Sequence, residues 1–182
     1  MEATGWASGD YLDRPLRELF EDVASGDSVP AAGSAVAVLG ALAAGLTAKV
    51  ARRSSSGLPS VADLAQRADE LREGLEPLVT ADAAGYVEAL AAPGDRAAAM
   101  AAVSAGTAFM AESAAEIAQI AAVLAADGNQ NLRWDATAAA RIAVVAAEVA
   151  AELTAANVGE DDPFPRAHSA AILARTAADR LK

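Results

Sequence analysis

Apolar residues recur at three- and four-residue spacing along most of the chain, which is typical of helices that bury one face. From 60 to 90 the spacing is interrupted only by Pro77, so we expect a kink there, just before Asp82. Loops rich in Gly, Pro, Ser and Asn separate the segments. The predicted helices cover 13–25, 34–53, 60–90, 97–126, 135–157 and 165–181. Long helices joined by short loops predict an all-α fold, an up-and-down antiparallel bundle of about six helices.

The segment 34–53 is apolar nearly all round, so we predict that it is the central helix and that Ser34 caps it. Composition adds that 54% of residues are hydrophobic but only 4% aromatic, which indicates a core of small side chains, chiefly Ala. The length predicts one domain over 1–182, with its core at about 11–181. The most apolar stretch, 35–46, is shorter than the roughly 18 residues of a membrane span, so no membrane partner is expected.

The formal net charge is −11, from 25 acidic and 14 basic residues, and the longest basic run is Arg52–Arg53, so no nucleic-acid partner is expected. The chain has no Cys, which excludes thiolate metal sites and Cys nucleophiles. His168 is the single histidine and cannot form a histidine-rich site, so we predict no metal. Residues 1–6 carry no apolar signal region, and we expect a cytoplasmic protein.

Three groups of residues indicate more about the protein than its helical fold. They are SGDSVPAAGS over 25–34, LVTADAAGY over 78–86, and a set formed by Gly128-Asn129, Asp135, Ala138 to Ala140 and Asn157-Val158. In order and approximate spacing they resemble the cyclodeaminase/cyclohydrolase family, with its D-S-P-x-P-G-G-G-S, L-I-D-x-D-A-x-A-F/Y, G-N-x-N, S-D-x-x-x-A-A and N-V signatures. The resemblance covers almost the whole chain, about 11–181.

This resemblance implies a folate one-carbon enzyme that needs no cofactor and takes a tetrahydrofolate derivative as substrate. Family members either close 5-formiminotetrahydrofolate to 5,10-methenyltetrahydrofolate with loss of ammonia, or hydrate the methenyl compound to 10-formyltetrahydrofolate. It also implies a bundle that dimerises, with the folate site near the glycine-rich loop. The chain departs from the pattern at Ala31 and Ala32, which replace two family glycines, and at 51–57, where a Lys/Tyr-rich stretch is usual. These departures bear on folate specificity more than on the fold.

The catalytic candidate is Asp82, because the family's proton-transferring Asp falls at the matching place. A carboxylate in an Ala-lined cleft can also have a raised pKa suited to moving protons. The alternative is an ordinary solvated or capping Asp after the kink. Gly33 and Ser34 open a helix, so their free N–H groups are candidates to bind a substrate oxygen. A plain helix cap is the alternative for them.

Two further polar groups are substrate-binding candidates. Asn129, Asn131 and Asp135 offer the donors and acceptors that a pterin ring would pair with, although loop closure and helix capping explain them as well. Lys49 and Arg52, next to Arg53, are a rare basic group that suits a dianionic glutamate tail. A solvated helix end that complements the helix dipole is their more common explanation.

Two alternatives to the folate enzyme stay open. One is a divergent family member that catalyses cyclisation, hydrolysis or elimination on a non-folate nitrogen compound, which the two Ala replacements suggest. The other is a non-catalytic helical dimer. A homodimer is predicted in each case. The segments 34–53 and 136–156 carry few polar residues, and six helices in one chain are too few to cover both of them completely.

Overall fold

The computed structural model describes residues 9–54, 60–92, 94, 96–158 and 164–181. These residues form helices and no strand. The helices are α1 (Leu16–Val23), α2 (Ala32–Arg53), α3 (Val61–Leu75), α4 (Leu78–Ala91), α5 (Arg96–Asp127), α6 (Arg133–Val158) and α7 (Pro165–Asp179), with short 3-10 helices at Tyr11–Asp13 and Gln130–Leu132. The predicted loops at 54–59, 92–95 and 159–163 and the N-terminal segment 1–6 lie partly or wholly outside the described residues. The predicted all-α class is confirmed.

The predicted interruption at Pro77 is confirmed, because a break there divides the expected long helix into α3 and α4. Pro77 has no N–H to continue the helical ladder, and the N–H of Val79 bonds instead to the carbonyl of Glu76 at 3.2 Å. Glu76 and Pro77 both keep right-handed helical dihedrals, so α4 continues in the general direction of α3. The break places Asp82 in the second turn of α4.

The start of α2 differs from the prediction. The N-cap is Ala31 and the helix begins at Ala32, so Ser34 lies inside the first turn and does not cap the helix; that prediction is wrong. The Ser34 side chain is fully buried there. Ala31 has a φ of −134°, and α2 already includes Ala32. The alanines that replace family glycines therefore cause no backbone strain.

Contacts between helix ends establish the up-and-down order. At the C-terminal end of α2, Arg52 pairs with Asp69 of α3, while at its N-terminal end Gly33 lies against Asp82 of α4. The α3–α4 segment therefore runs antiparallel to α2. Lys49 of α2 pairs with Asp135 at the start of α6, so α6 also runs opposite to α2. The predicted up-and-down antiparallel bundle is confirmed.

Small side chains fill the core, as predicted. Most of its members are alanines from α2, α5 and α6, and its largest fully buried side chains include Leu75, Met110, Ile117 and Leu124. Helix α2 packs against α3, α4, α5 and α6, but α5 packs against five helices, α2, α3, α4, α6 and α7, so α2 shares the centre of the bundle with α5. Gly40 of α2 permits close approach to α3, since a Cβ there would lie 3.0 Å from Cδ1 of Leu75.

Two helices are long and apolar enough to cross a membrane by length and composition alone, Ala32–Arg53 and Arg96–Asp127. The apolar stretch 35–46 was expected to be too short to span a membrane, and this expectation is wrong because the helix that contains it has 22 residues. Within the bundle, 56% and 67% of their apolar windows are buried against other helices. Such burial is typical of core helices, and the absence of a membrane partner stays a prediction.

Candidate active site

Asp82 lies directly against the first turn of α2. A Cβ atom built on Gly33 would overlap both carboxylate oxygens of Asp82, so only glycine leaves room for this side chain. The backbone N–H of Ser34 donates a hydrogen bond to the same carboxylate. The first N–H groups of a helix have no partner within the helix and carry its positive dipole end. At this helix start, the bound anionic oxygen is that of Asp82 itself.

The Asp82 carboxyl is partly buried, and burial raises its pKa above the ordinary value of 3.8. The hydrogen bond from the Ser34 N–H acts in the opposite direction and is the smaller effect. Desolvation disfavours the charged form, while a donor to the carboxylate favours it. Asp82 is therefore a carboxyl group with a fixed position and a raised pKa, which is the combination expected of a proton-transfer group.

Two cavities share Asp82 as a lining residue. The first, the polar cavity, has a volume of about 240 Å³ and is lined by side chains that include Ser28, Tyr86, Thr107 and Asn157. The second, the apolar cleft, has a volume of about 430 Å³ and lies between α4 and α5. Its walls are mainly Ala, Val, Leu and Met, and Glu88 is the other charged residue that lines it. The charged side chains along both cavities are thus acidic.

Tyr86 and Asn157 bring unused polar groups to the polar cavity. Neither side chain has a hydrogen bond to another described residue, so both remain available to a ligand. Thr107 is buried, and its hydroxyl lies 2.7 Å from that of Thr154 and 3.1 Å from the carbonyl oxygen of Ser104. The polar cavity therefore places the free side chains of Tyr86 and Asn157 around a carboxylate, while the Thr107 hydroxyl is already bonded within the protein.

Ala31 and Ala32, the alanines that replace family glycines, also line the polar cavity. Both residues are exposed. The two methyl groups reduce the space beside Asp82 without distorting the backbone.

The other predicted site residues gather at the opposite end of α2. Lys49 Nζ lies 3.6 Å from Asp135 Oδ2, and Arg52 pairs with Asp69. Gly33 and Arg52 are about 28 Å apart along the axis, at a rise of about 1.5 Å per helical residue. The structure therefore joins Gly33 and Ser34 to Asp82, but it does not bring the basic group to Asp82 within one chain.

Asn129 ties the end of α2 to the loop between α5 and α6. Its Nδ2 donates to the carbonyl oxygen of Arg53 at 2.6 Å, and its N–H donates to Ser54 Oγ at 3.0 Å. Its Oδ1 accepts from the N–H of Asn131 at 3.0 Å. These bonds correspond to loop closure and to capping of the 3-10 helix, and a ligand-binding role for Asn129, Asn131 and Asp135 stays a prediction.

The sequence motifs contained part of the site without assigning it. Tyr86 and Asn157 stand in motifs quoted above, and Tyr86 follows Asp82 by four residues, which places both on one helix face. Thr107 and Glu88 belong to no motif. Thr107 could have been noticed in the sequence as a hydroxyl residue within the Ala-rich segment 97–126. No feature of the sequence distinguishes Glu88.

Comparison with known families places the chain in a family. The family described as formiminotransferase-cyclodeaminase matches residues 15–163, which include Gly33, Asp82, Tyr86 and Asn157. The chain belongs to this family. The predicted cyclodeaminase/cyclohydrolase resemblance is thereby confirmed.

A solved structure agrees with the family match. The crystal structure of formiminotetrahydrofolate cyclodeaminase from Thermotoga maritima is similar to this chain with a TM-score of 0.84 and 21% sequence identity. The similarity covers 94% of this chain and 95% of that one. At this identity the likeness establishes the fold. Among curated proteins, no match to the chain was found.

No group of three or more acidic or histidine side chains suited to a metal ion occurs among the residues that the structure describes. The prediction of a metal-free site therefore continues to rest on the sequence.

Proposed function

We propose that this family member is a folate one-carbon enzyme that acts by acid–base catalysis at the amidine carbon of 5,10-methenyl- or 5-formiminotetrahydrofolate. One observation carries the proposal: Asp82 has a raised pKa, is held by Gly33 and Ser34, and borders both cavities. An amidinium carbon is already electrophilic, so its hydration needs only a positioned acid–base group. No cofactor is required in this proposal.

In the hydrolytic direction, the Asp82 carboxylate accepts a proton from water as the oxygen attacks the methenyl carbon. The same carboxyl then donates that proton to N5 as the C–N5 bond breaks. The remaining hydroxyl proton is released to solvent as the carbonyl of the 10-formyl product forms. In the deaminating direction, N10 attacks the carbon of the protonated formimino group, and Asp82 moves the N10 proton to the departing nitrogen, which leaves as ammonia. Both routes use one carboxyl as base and then acid.

A second candidate is a related reaction on a smaller, non-folate amidine. The Ala31 and Ala32 methyl groups support it, because they narrow the polar cavity where family glycines would leave room. Restoring both glycines tests this candidate. The double variant should bind methenyltetrahydrofolate more tightly if the methyl groups obstruct it. Unchanged weak binding by the variant would favour the non-folate substrate.

The central experiment is titration of the wild type with 5-formyltetrahydrofolate and with the methenyl compound, followed by turnover assays of Asp82→Asn. We expect binding below millimolar concentration and a loss of at least about 100-fold in turnover. Asp63→Asn is the matched control, because Asp63 is an exposed α3 residue that lines neither cavity. No binding of either ligand, or full turnover by Asp82→Asn, would contradict the proposal.

We also propose a homodimer in which α1 meets its copy across a twofold axis. Leu16 and Phe20 on α1 are 58% and 62% exposed, and Leu42 of α2 is 58% exposed. Leu16 and Leu42 line a groove of about 490 Å³. A twofold contact sets this apolar face against itself and removes it from water.

Light scattering tests the dimer. Leu16→Glu combined with Phe20→Glu should give a monomer of about half the wild-type mass at micromolar concentration. Leu173→Glu is the control, since Leu173 is similarly exposed, at 54%, on α7. A monomeric wild type, or dissociation caused by Leu173→Glu alone, would contradict this arrangement.

A further inference from the structure

Glu88 is a charged group that the reaction above does not use. It lies on α4 six residues after Asp82, and both side chains line the apolar cleft. At about 1.5 Å per residue the two positions are about 9 Å apart along the helix axis. Glu88 has no hydrogen bond or ion pair with another described residue, although many other acidic side chains of the chain are paired.

Small residues form the surface between the two carboxylates. Gly85 lies between them on α4 and lines the cleft, with Ala89 one turn further along. A Cβ on Gly85 would come 3.4 Å from Cγ2 of Val103, so the glycine keeps the cleft open at its centre. Apolar walls hold a ring by burial, and a few polar groups at the edges fix its orientation.

We propose, resting on the function proposed above, that Glu88 is a specificity-determining residue that binds the amino-pyrimidinone edge of the pterin while Asp82 acts at the amidine carbon. A carboxylate accepts two parallel N–H bonds, and this ring edge offers a ring N–H and an amino group side by side. The edge lies at the far end of the fused rings from N5. A substrate that spans the cleft therefore presents N–H groups at one carboxylate and the reacting carbon at the other.

The test pairs a protein variant with a ligand variant. Dissociation constants are measured for methenyltetrahydrofolate and for its 2-desamino analogue, with wild type, Glu88→Gln and Glu88→Ala. Wild type should bind the amino ligand at least about tenfold more tightly than the analogue, since a hydrogen bond to a charged group is lost. Both Glu88 variants should bind the two ligands with similar affinity.

Kinetics separate recognition from catalysis. Glu88→Gln should raise KM about tenfold and leave kcat within about twofold, the signature of lost binding that is equal in ground and transition states. Glu152→Gln is the control, because Glu152 is exposed on α6 and lines neither cavity. The thermal midpoint should be the same for all three proteins.

The outcomes distinguish this inference from the function on which it rests. If methenyltetrahydrofolate binds and depends on Asp82, but Glu88→Gln keeps the full preference for the amino ligand, the role of Glu88 is overturned and the proposed function stands. If neither pteridine binds the wild type, both are overturned. Loss of the preference in Glu88→Gln together with unchanged kcat supports the assignment.

Discussion

Polar side chains gather around both ends of α2 and are used differently at each end. At the N-terminal end, the Asp82 carboxylate occupies the helix start, and Tyr86 and Asn157 face a cavity without partners. At the C-terminal end, Lys49, Arg52 and Asn129 are all engaged by other parts of the chain.

This difference separates a candidate for chemistry from a structural junction. Polar side chains that satisfy one another stabilise the fold, whereas unpartnered groups around a raised-pKa carboxyl are available to a ligand. Residue type alone made both ends look equally suitable for binding. Four predictions test this difference between the two ends of α2.

The largest effect is expected from Gly33→Ala. The added Cβ would overlap the Asp82 carboxylate and force it away from the Ser34 N–H, so turnover should fall at least about 100-fold. The matched control is Gly45→Ala on the same helix, whose Cβ would lie 3.8 Å from Cδ of Arg72, an ordinary contact. That variant should keep its turnover and gain up to about 1 kcal/mol of stability from helix propensity. Equal turnover in both variants would contradict the Asp82 site.

The second effect concerns pH. Because burial raises the pKa of Asp82 above 3.8, the folded state holds this proton more tightly than the unfolded state does. The stability that the group contributes is therefore present below about pH 3.8 and is lost as pH rises through the folded-state pKa. The free energy of unfolding of wild type relative to Asp82→Asn should fall across that window, by about 1.4 kcal/mol for each pH unit between the two pKa values.

Urea titrations from pH 3 to pH 8 measure this difference. A wild type that gains stability relative to Asp82→Asn as pH rises would mean that the Asp82 pKa is lowered.

The third prediction concerns the opposite end of α2. Asn129→Ala removes the bond to the Arg53 carbonyl and the acceptor for the Asn131 N–H, and should cost about 1 kcal/mol of unfolding free energy with turnover unchanged. Asn131→Ala serves as the control, because Asn131 joins this network through its backbone. A fall in turnover with unchanged stability would show that Asn129 binds substrate.

The smallest effect is expected from Lys49→Met and Arg52→Met. Both residues are 55% exposed at the side chain, and exposed ion pairs contribute about 0.5 kcal/mol. KM for a glutamate-bearing folate should stay within about twofold, because these side chains lie far from Asp82 in one chain. A tenfold rise in KM in either variant would show that the substituted residue binds the glutamate tail.

The sequence by itself determined the helices, the break at Pro77, the family and the identity of Asp82 as the acidic candidate. These depend on local signals: apolar spacing, a missing N–H, and short motifs within single segments. The distance between Ser34 and Arg52 also follows from the sequence, since the predicted helix 34–53 holds both. Where the helices begin was predicted less well, and Ser34 was placed at a cap that Ala31 occupies.

Tertiary structure decided which end of α2 receives Asp82. That choice depends on how α4 packs after the break at Pro77. As a result, the N–H of Ser34 and the bare backbone of Gly33, which the sequence suggested as substrate contacts, contact the Asp82 carboxylate. The meeting of Tyr86, Thr107 and Asn157 likewise joins α4, α5 and α6. Helical periodicity determines which face of each helix is buried, but the alanines that repeat along these faces fit several registers equally well. Only the packed bundle determines which polar residues meet across them.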